Sequence, residues 1–192
     1  MTEQNNPFHK KKSGVFFFKS SNPYEFYDLL NGIDMEPKQD VWGTLIFPEN
    51  AKLPCPVIVP IHGSAGLREG HHTHMVNLLE AGFAVFRIHH FESRGVISIV
   101  ENQTQVTLAT MITDAFRALA LLNKHPDIDK NKIGIMGWSL GGSTALYAAW
   151  QPIIDALTSG DEKFSAYLPL YPGAVLKPED NRWSNAPMHI LF

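Results

Sequence analysis

Apolar residues recur along the chain in two alternating patterns. Short runs of strand length occur at 15–18, 41–47, 57–61, 83–88, 133–136, 166–170 and 188–192, and stretches with helical spacing lie between several of them. The clearest helix is 104–122, where Leu108, Met111, Ile112, Ala115, Phe116, Leu119 and Leu122 make one stripe. Residues 68–81 place Met75, Leu78 and Leu79 at the same spacing, and Gly82 stops them. A short helix is expected after Asn22-Pro23, carrying Tyr24, Phe26, Leu29 and Leu30 and ending at Asn31-Gly32. Helical pattern returns at 141–150 and again at 153–157. Only a polar turn at 48–52 separates the runs at 41–47 and 57–61, which predicts an antiparallel hairpin at the start of the sheet. Beyond it, the strand–helix–strand alternation predicts an α/β fold, a mostly parallel sheet with helices on both faces. One domain over 14–192 accommodates it, and the polar stretch 1–13 is expected to be mobile.

Composition narrows the function classes. The chain has 192 residues, 44% hydrophobic and 18% charged, which is too apolar for a disordered protein. A net charge of -3 provides no basic field for nucleic acid or an anionic membrane surface. No apolar run approaches the ~18 residues of a membrane-spanning helix. The four apolar residues at 15–18 also fall short of a secretory h-region. A cytoplasmic location is therefore expected. The single cysteine, Cys55, excludes an internal disulfide and a cysteine metal cluster, and reads as a small apolar filler at a strand start.

Candidate chemistry begins at Gly137-Trp138-Ser139-Leu140-Gly141, a G-x-S-x-G match lying between the strand 132–136 and the helix that starts near Gly141. Chance produces such a pentapeptide about once in twenty chains of this length, so the context carries the signal. A serine becomes a useful nucleophile when a tight strand-to-helix turn projects it toward a base. Side chains at Gly137 and Gly141 would collide across such a turn, and Gly142 lets the helix lie close to the sheet. The turn aims the Leu140 amide and the positive helix end at one point, where an acyl oxyanion would sit. The competing reading is a glycine-rich turn with an incidental serine.

A second loop, His62-Gly63-Ser64-Ala65-Gly66, follows the strand 57–61 and shares the carboxyl edge of the sheet with the first. Its small residues can present a bare amide, assigned to Ser64, as the second oxyanion donor, with His62 ordering the loop. A plain turn with a packed histidine is the alternative.

With these motifs, the chain from about residue 41 to 192 resembles the dienelactone hydrolase branch of the α/β-hydrolases. The likeness is strongest in 62–66, in Arg94-Gly95, and in D-K-N-K-I-G-I-M-G-W-S-L-G-G at 129–142. It implies an α/β-hydrolase fold, Ser139 as nucleophile, and hydrolysis of carboxylic esters or lactones with no cofactor and no metal. The branch's namesake has cysteine where Ser139 stands, which favours a serine esterase of wider type.

The resemblance also implies an acid and then a histidine after the nucleophile. The 53 residues after Ser139 contain one histidine, His189, set in an apolar strand. The general base is accordingly expected beyond this chain, with the final helix–strand–helix of the fold, and turnover by the 192-residue form is expected to be low. His62, His89 and His90 end strands near Ser139 and are the resident substitutes, with Glu92 beside His90 as the visible carboxylate. His71, His72 and His74 suggest a metal site at first sight, but no carboxylate completes a ligand set, so a polar helix start is expected. Arg94 is a candidate to hold a substrate carboxylate or, equally, to anchor its loop. Trp138, Tyr171 and Phe91 are candidates to line an acyl pocket or simply to pack. Alternatives to an esterase are a serine peptidase on the same fold and a shortened homologue that binds a ligand or partner. An uncovered edge strand at 188–192 also suggests a homodimer.

Overall fold

The computed structural model describes residues 13–159 and 162–192, and most of the predicted segment 1–13 lies outside them. Ser13 is described, and its hydroxyl accepts the Phe47 amide at 3.2 Å. Six strands form one sheet: β1 (Gly14–Ser20), β2 (Gln39–Ile46), β3 (Cys55–Ile61), β4 (Ala84–Ile88), β5 (Ile128–Trp138) and β6 (Ala166–Leu170). Their spatial order is β1-β2-β4-β3-β5-β6. β2 runs antiparallel to β1 and β4, while β3 pairs in parallel with β4 and β5, and β5 with β6.

The expected hairpin of β2 with β3 does not form, because β4 lies between them. The residue types give the reason. β2 carries Gln39, Asp40 and Thr44 between its buried residues, whereas β3 is apolar throughout, with Cys55, Val57, Val59 and Ile61 buried on one face and Pro60 on the other. A strand apolar on both faces belongs at the sheet centre, where parallel neighbours and helices cover it.

Among the described residues five α-helices connect the strands: α1 (Phe26–Asn31), α2 (Glu69–Glu80), α3 (Leu108–Leu122), α4 (Leu140–Tyr147) and α5 (Gln151–Leu157). Two begin later than their apolar stripes suggest. α1 starts after Glu25, whose amide and Asp28 carboxylate form the cap, and ends at left-handed Gly32. α3 starts after Thr107, whose hydroxyl accepts the Thr110 amide, while Asn102 holds Thr104 in the preceding turn. The core joins α3 and α4 to the sheet through Val57, Val59, Ile133 and Ile135 on one side and Met111, Ile112, Ala115 and Ala145 on the other. Leu78 of α2 instead lines an apolar groove with Ile58, Met136 and Leu168, whose side chains alternate to the other face. The run at 188–192 lies beside β6 through the parallel bridges Tyr167–Met188 and Leu170–Leu191, without forming a continuous strand.

Candidate active site

β5 ends at Trp138 and α4 begins at Leu140, leaving Ser139 alone in the turn between them. Its backbone adopts φ 54° and ψ -115°, a conformation that costs a non-glycine residue about 1–3 kcal/mol. The strain is held by two flanking bonds: the Ser139 amide donates to Leu170 O at 3.0 Å, and Ser139 O accepts the Ser143 amide at 2.9 Å. The residue is exposed, and its hydroxyl has no hydrogen-bond partner among the described residues.

The turn closes only because its neighbours lack Cβ atoms. A Cβ on Gly137 would stand 2.1 Å from Gly141 O, one on Gly141 would stand 2.0 Å from Ile61 O, and one on Gly142 would stand 2.5 Å from Leu170 O. These contacts are all with backbone, so the three glycines let α4 descend onto the ends of β3 and β6.

The loop after β3 meets the turn directly. A Cβ built on Gly63 would lie 3.3 Å from Ser139 Cβ and 3.9 Å from its Oγ. Gly63 O accepts the Gly66 amide at 3.0 Å and sits 3.0 Å from His62 Nδ1. Ser64 O accepts the Ile99 amide at 2.8 Å and the Ser98 hydroxyl at 3.3 Å. The Ser64 amide itself has no partner among the described residues, and Leu140, as first residue of α4, has no intrahelical acceptor for its amide. The arrangement is an exposed hydroxyl beside the loop that carries one bare amide and at the head of the helix that carries the other.

The remaining predicted residues are placed as follows. His62 is buried, with its ring 4.4 Å from Phe91 and 5.7 Å from His90. Burial first, and the nearby His90 second, lower its pKa to about 4. Trp138 is buried under α2, with His71 stacked on it at 4.4 Å and His74 tilted against it at 5.6 Å. These two histidines thus serve as packing partners for an indole, and no group of three or more potential metal ligands occurs among the described residues. Tyr171 is exposed beside the turn with φ 36°, a strained value for a large side chain, and its loop is clasped by Ser143 Oγ, which accepts the Gly173 amide at 2.9 Å. Arg94 turns inward. Its guanidinium forks onto Asp114 at 2.8 and 3.0 Å and also reaches His90 O and Asn22 Oδ1, which is the loop-anchoring arrangement.

Asp114 is the residue that sequence reasoning missed. It lies fully buried in α3 and accepts from Ser20 Oγ at 2.5 Å and His90 Nδ1 at 2.8 Å besides Arg94. Burial alone would raise its pKa, but the His90 bond and the Arg94 charge hold it below the ordinary carboxylate range. A lone acid amid the apolar stripe of 108–122 was the available signal. Glu92, the carboxylate expected beside His90, instead pairs with Arg87 and approaches His89 at 3.5 Å. His89 is further occupied by Thr44 Oγ1 at 2.9 Å and stacked on Trp42. His189 lines the apolar groove on the α2 side of the sheet.

Sequence and structure comparisons agree on the kind of fold. The BD-FAE family model matches residues 44–167. No curated protein matches the chain in sequence. A protein assigned as a dienelactone hydrolase, from Klebsiella pneumoniae subsp. pneumoniae, superposes with a TM-score of 0.59 at 17% identity, covering 92% of this chain and 72% of its own. Est1E from Butyrivibrio proteoclasticus with ferulic acid bound gives 0.53 at 23% identity, with 70% and 50% covered. Esterase 2 of Thermogutta terrifontis, phosphoramylated by tabun, gives 0.59 at 16% identity, with 87% and 59% covered. The chain thus spans about half to three-fifths of the length of these last two proteins.

Proposed function

The chain belongs to the BD-FAE family and has the α/β-hydrolase fold of dienelactone-hydrolase kind, and from that premise we propose that it is a serine hydrolase of carboxylic esters or lactones. Ser139 Oγ attacks the ester carbonyl to form an acyl-enzyme, and the developing oxyanion is received by the amides of Ser64 and Leu140. Each such donor is worth about 2.7–4 kcal/mol in the transition state. Tyr171 borders the substrate at the rim. His62 orders the oxyanion loop from behind, and its low pKa keeps it neutral at pH 7.

The observation that carries this reading is the strained, exposed Ser139 set against the Gly63–Ser64 loop. A general base is also required, and we assign it outside the described residues. None of His62, His89 and His90 is hydrogen-bonded to Ser139 Oγ: His62 and His90 are buried, on Gly63 O and Asp114, and His89 is held by Thr44 and Trp42. Low turnover of p-nitrophenyl acetate by the 192-residue chain is therefore expected.

The test uses a fluorophosphonate probe, a choice favoured by the tabun-modified relative. One adduct is expected by intact mass, mapping to Ser139 and absent in Ser139→Ala. Labelling at another residue, or an unchanged adduct in Ser139→Ala, would refute the nucleophile. Fast ester turnover abolished by Ser139→Ala would keep the nucleophile but overturn the placement of the base.

A further inference from the structure

The buried cluster at Asp114 holds more polar groups than an ion pair needs. Arg94 alone satisfies both carboxylate oxygens with its fork, yet Ser20 Oγ and His90 Nδ1 add two further donors. His90 is fully buried, and its Nε2 has no partner among the described residues, nor has His62 Nε2. An orphaned interior nitrogen is costly, so two on adjacent rings call for a reason beyond stability.

The rings lead to the oxyanion loop. The carboxylate can only accept, so His90 Nδ1 carries hydrogen toward Asp114, which sets the ring's orientation. That ring meets His62 edge to face, with an interplanar angle of 82°, while Phe91 closes the other approach at 68°. His62 is thereby confined with Nδ1 on Gly63 O, which likewise only accepts. In a trans peptide the carbonyl and the following N–H point in opposite directions. Fixing Gly63 O therefore fixes the direction of the Ser64 N–H.

We propose that His90 is a positioning residue for the Ser64 amide, acting through the His62 ring on the plane of the Gly63–Ser64 peptide, with Asp114, Arg94 and Ser20 serving to lock His90. This rests on the reading of Ser64 as an oxyanion donor. The asymmetry of the two amides supports it. Leu140 is aimed by α4 itself, whereas Ser64 lies in a loop that has no helix to direct it.

Phenylboronic acid tests the proposal without requiring turnover. Its boron takes the Ser139 Oγ lone pair to form a B–O bond, the hydroxyl proton passes to solvent, and one boron-bound oxygen enters the oxyanion position. Wild type is expected to bind it, with a downfield shift of the Ser64 amide resonance, and Ser139→Ala is not. In His90→Gln, whose amide can still donate to Asp114, affinity is expected to fall about tenfold and the Ser64 response to disappear. Unchanged affinity and an unchanged Ser64 shift in folded His90→Gln overturn the positioning role alone. Boronate binding retained by Ser139→Ala overturns the Ser139 reading and this inference with it. Nitrogen-15 spectra of wild-type imidazoles decide the case if the variant does not fold or if wild type binds no boronate. Protonated Nδ1 on both His62 and His90 supports the relay, and a bare Nδ1 on either overturns it.

Discussion

Gly141→Ala is the sharpest probe of the turn, because the same methyl group has two opposed effects there. In the helix α4, alanine gains about 1 kcal/mol over glycine. Against this, the new Cβ would stand 2.0 Å from Ile61 O, 2.6 Å from Ile61 C and 2.7 Å from His62 O. Ordinary contact requires about 3.4 Å or more, so α4 and the end of β3 must part by over an ångström. Overpacking costs about 1–3 kcal/mol where side chains can shift, and occasionally more. Here both partners are backbone, in a sheet and in a helix, so the clash dominates and a net loss of about 3 kcal/mol is expected. At about 2–4 °C per kcal/mol for a chain of this size, the melting temperature falls by about 6–12 °C. Gly70→Ala supplies the internal contrast. A Cβ there meets nothing within 4 Å, in the first turn of α2, so a gain of about 0.4–1 kcal/mol is expected. Circular-dichroism melts and urea titrations of both variants measure the difference. A Gly141→Ala protein within 1 kcal/mol of wild type would refute the close approach on which the elbow rests.

Stability should also respond to acid through His62. Its folded pKa, about 4, lies below the ordinary 6.5, so the unfolded chain binds more protons between those values. The contribution is present above pH 6.5 and is lost as pH falls toward 4, by about 3 kcal/mol at most. Urea midpoints should fall across this window in wild type but stay flatter in His62→Asn, and equal slopes would sink the assignment. Asp114→Ala leaves Arg94 and His90 buried without their acceptor, and should cost about 3–5 kcal/mol in the same melts; a loss below 1 kcal/mol would show the network to be incidental. Finally, the outer edge of 188–192 exposes Ile190 and Phe192. Sedimentation velocity should find a dimer that Ile190→Lys converts to monomer; identical behaviour of the two proteins would rule out pairing along this edge.

The elements most legible in the sequence were those fixed by local constraints. The Ser139 turn could be read because strand, turn and helix are contiguous, and because a backbone contact of 2.0 Å admits only glycine at 141. Strand neighbours were less legible. The polar turn at 48–52 has the length of a hairpin, yet it carries the chain from β2 past β4 to β3. Spacing records how far apart two runs lie, whereas apolar residues on both faces mark the run that becomes central. Here the apolar continuity of 57–61 was the stronger signal.

Histidine roles were hardest to read, for a related reason. Backbone constraints leave a residue type as their trace, but an imidazole accepts several partners and its sequence neighbours rarely identify them. Glu92 stands two residues from His90, yet it pairs with Arg87, while the partner of His90 is Asp114 on another element. The assignment follows from charge in the interior. An acid within the apolar stripe of α3 must be compensated, and the nearest chain ends able to reach it are the close of β1, bearing Ser20, and the segment after β4, bearing His90 and Arg94. His62 and His90 are set aside as the base by position, since both are buried and neither is hydrogen-bonded to Ser139 Oγ. A His90 whose Nδ1 is committed to a saturated carboxylate, behind a neutral His62, is suited to hold a loop still. In the proposed acyl transfer the proton of Ser139 needs a base within hydrogen-bond reach, and neither His62 nor His90 bonds to Ser139 Oγ.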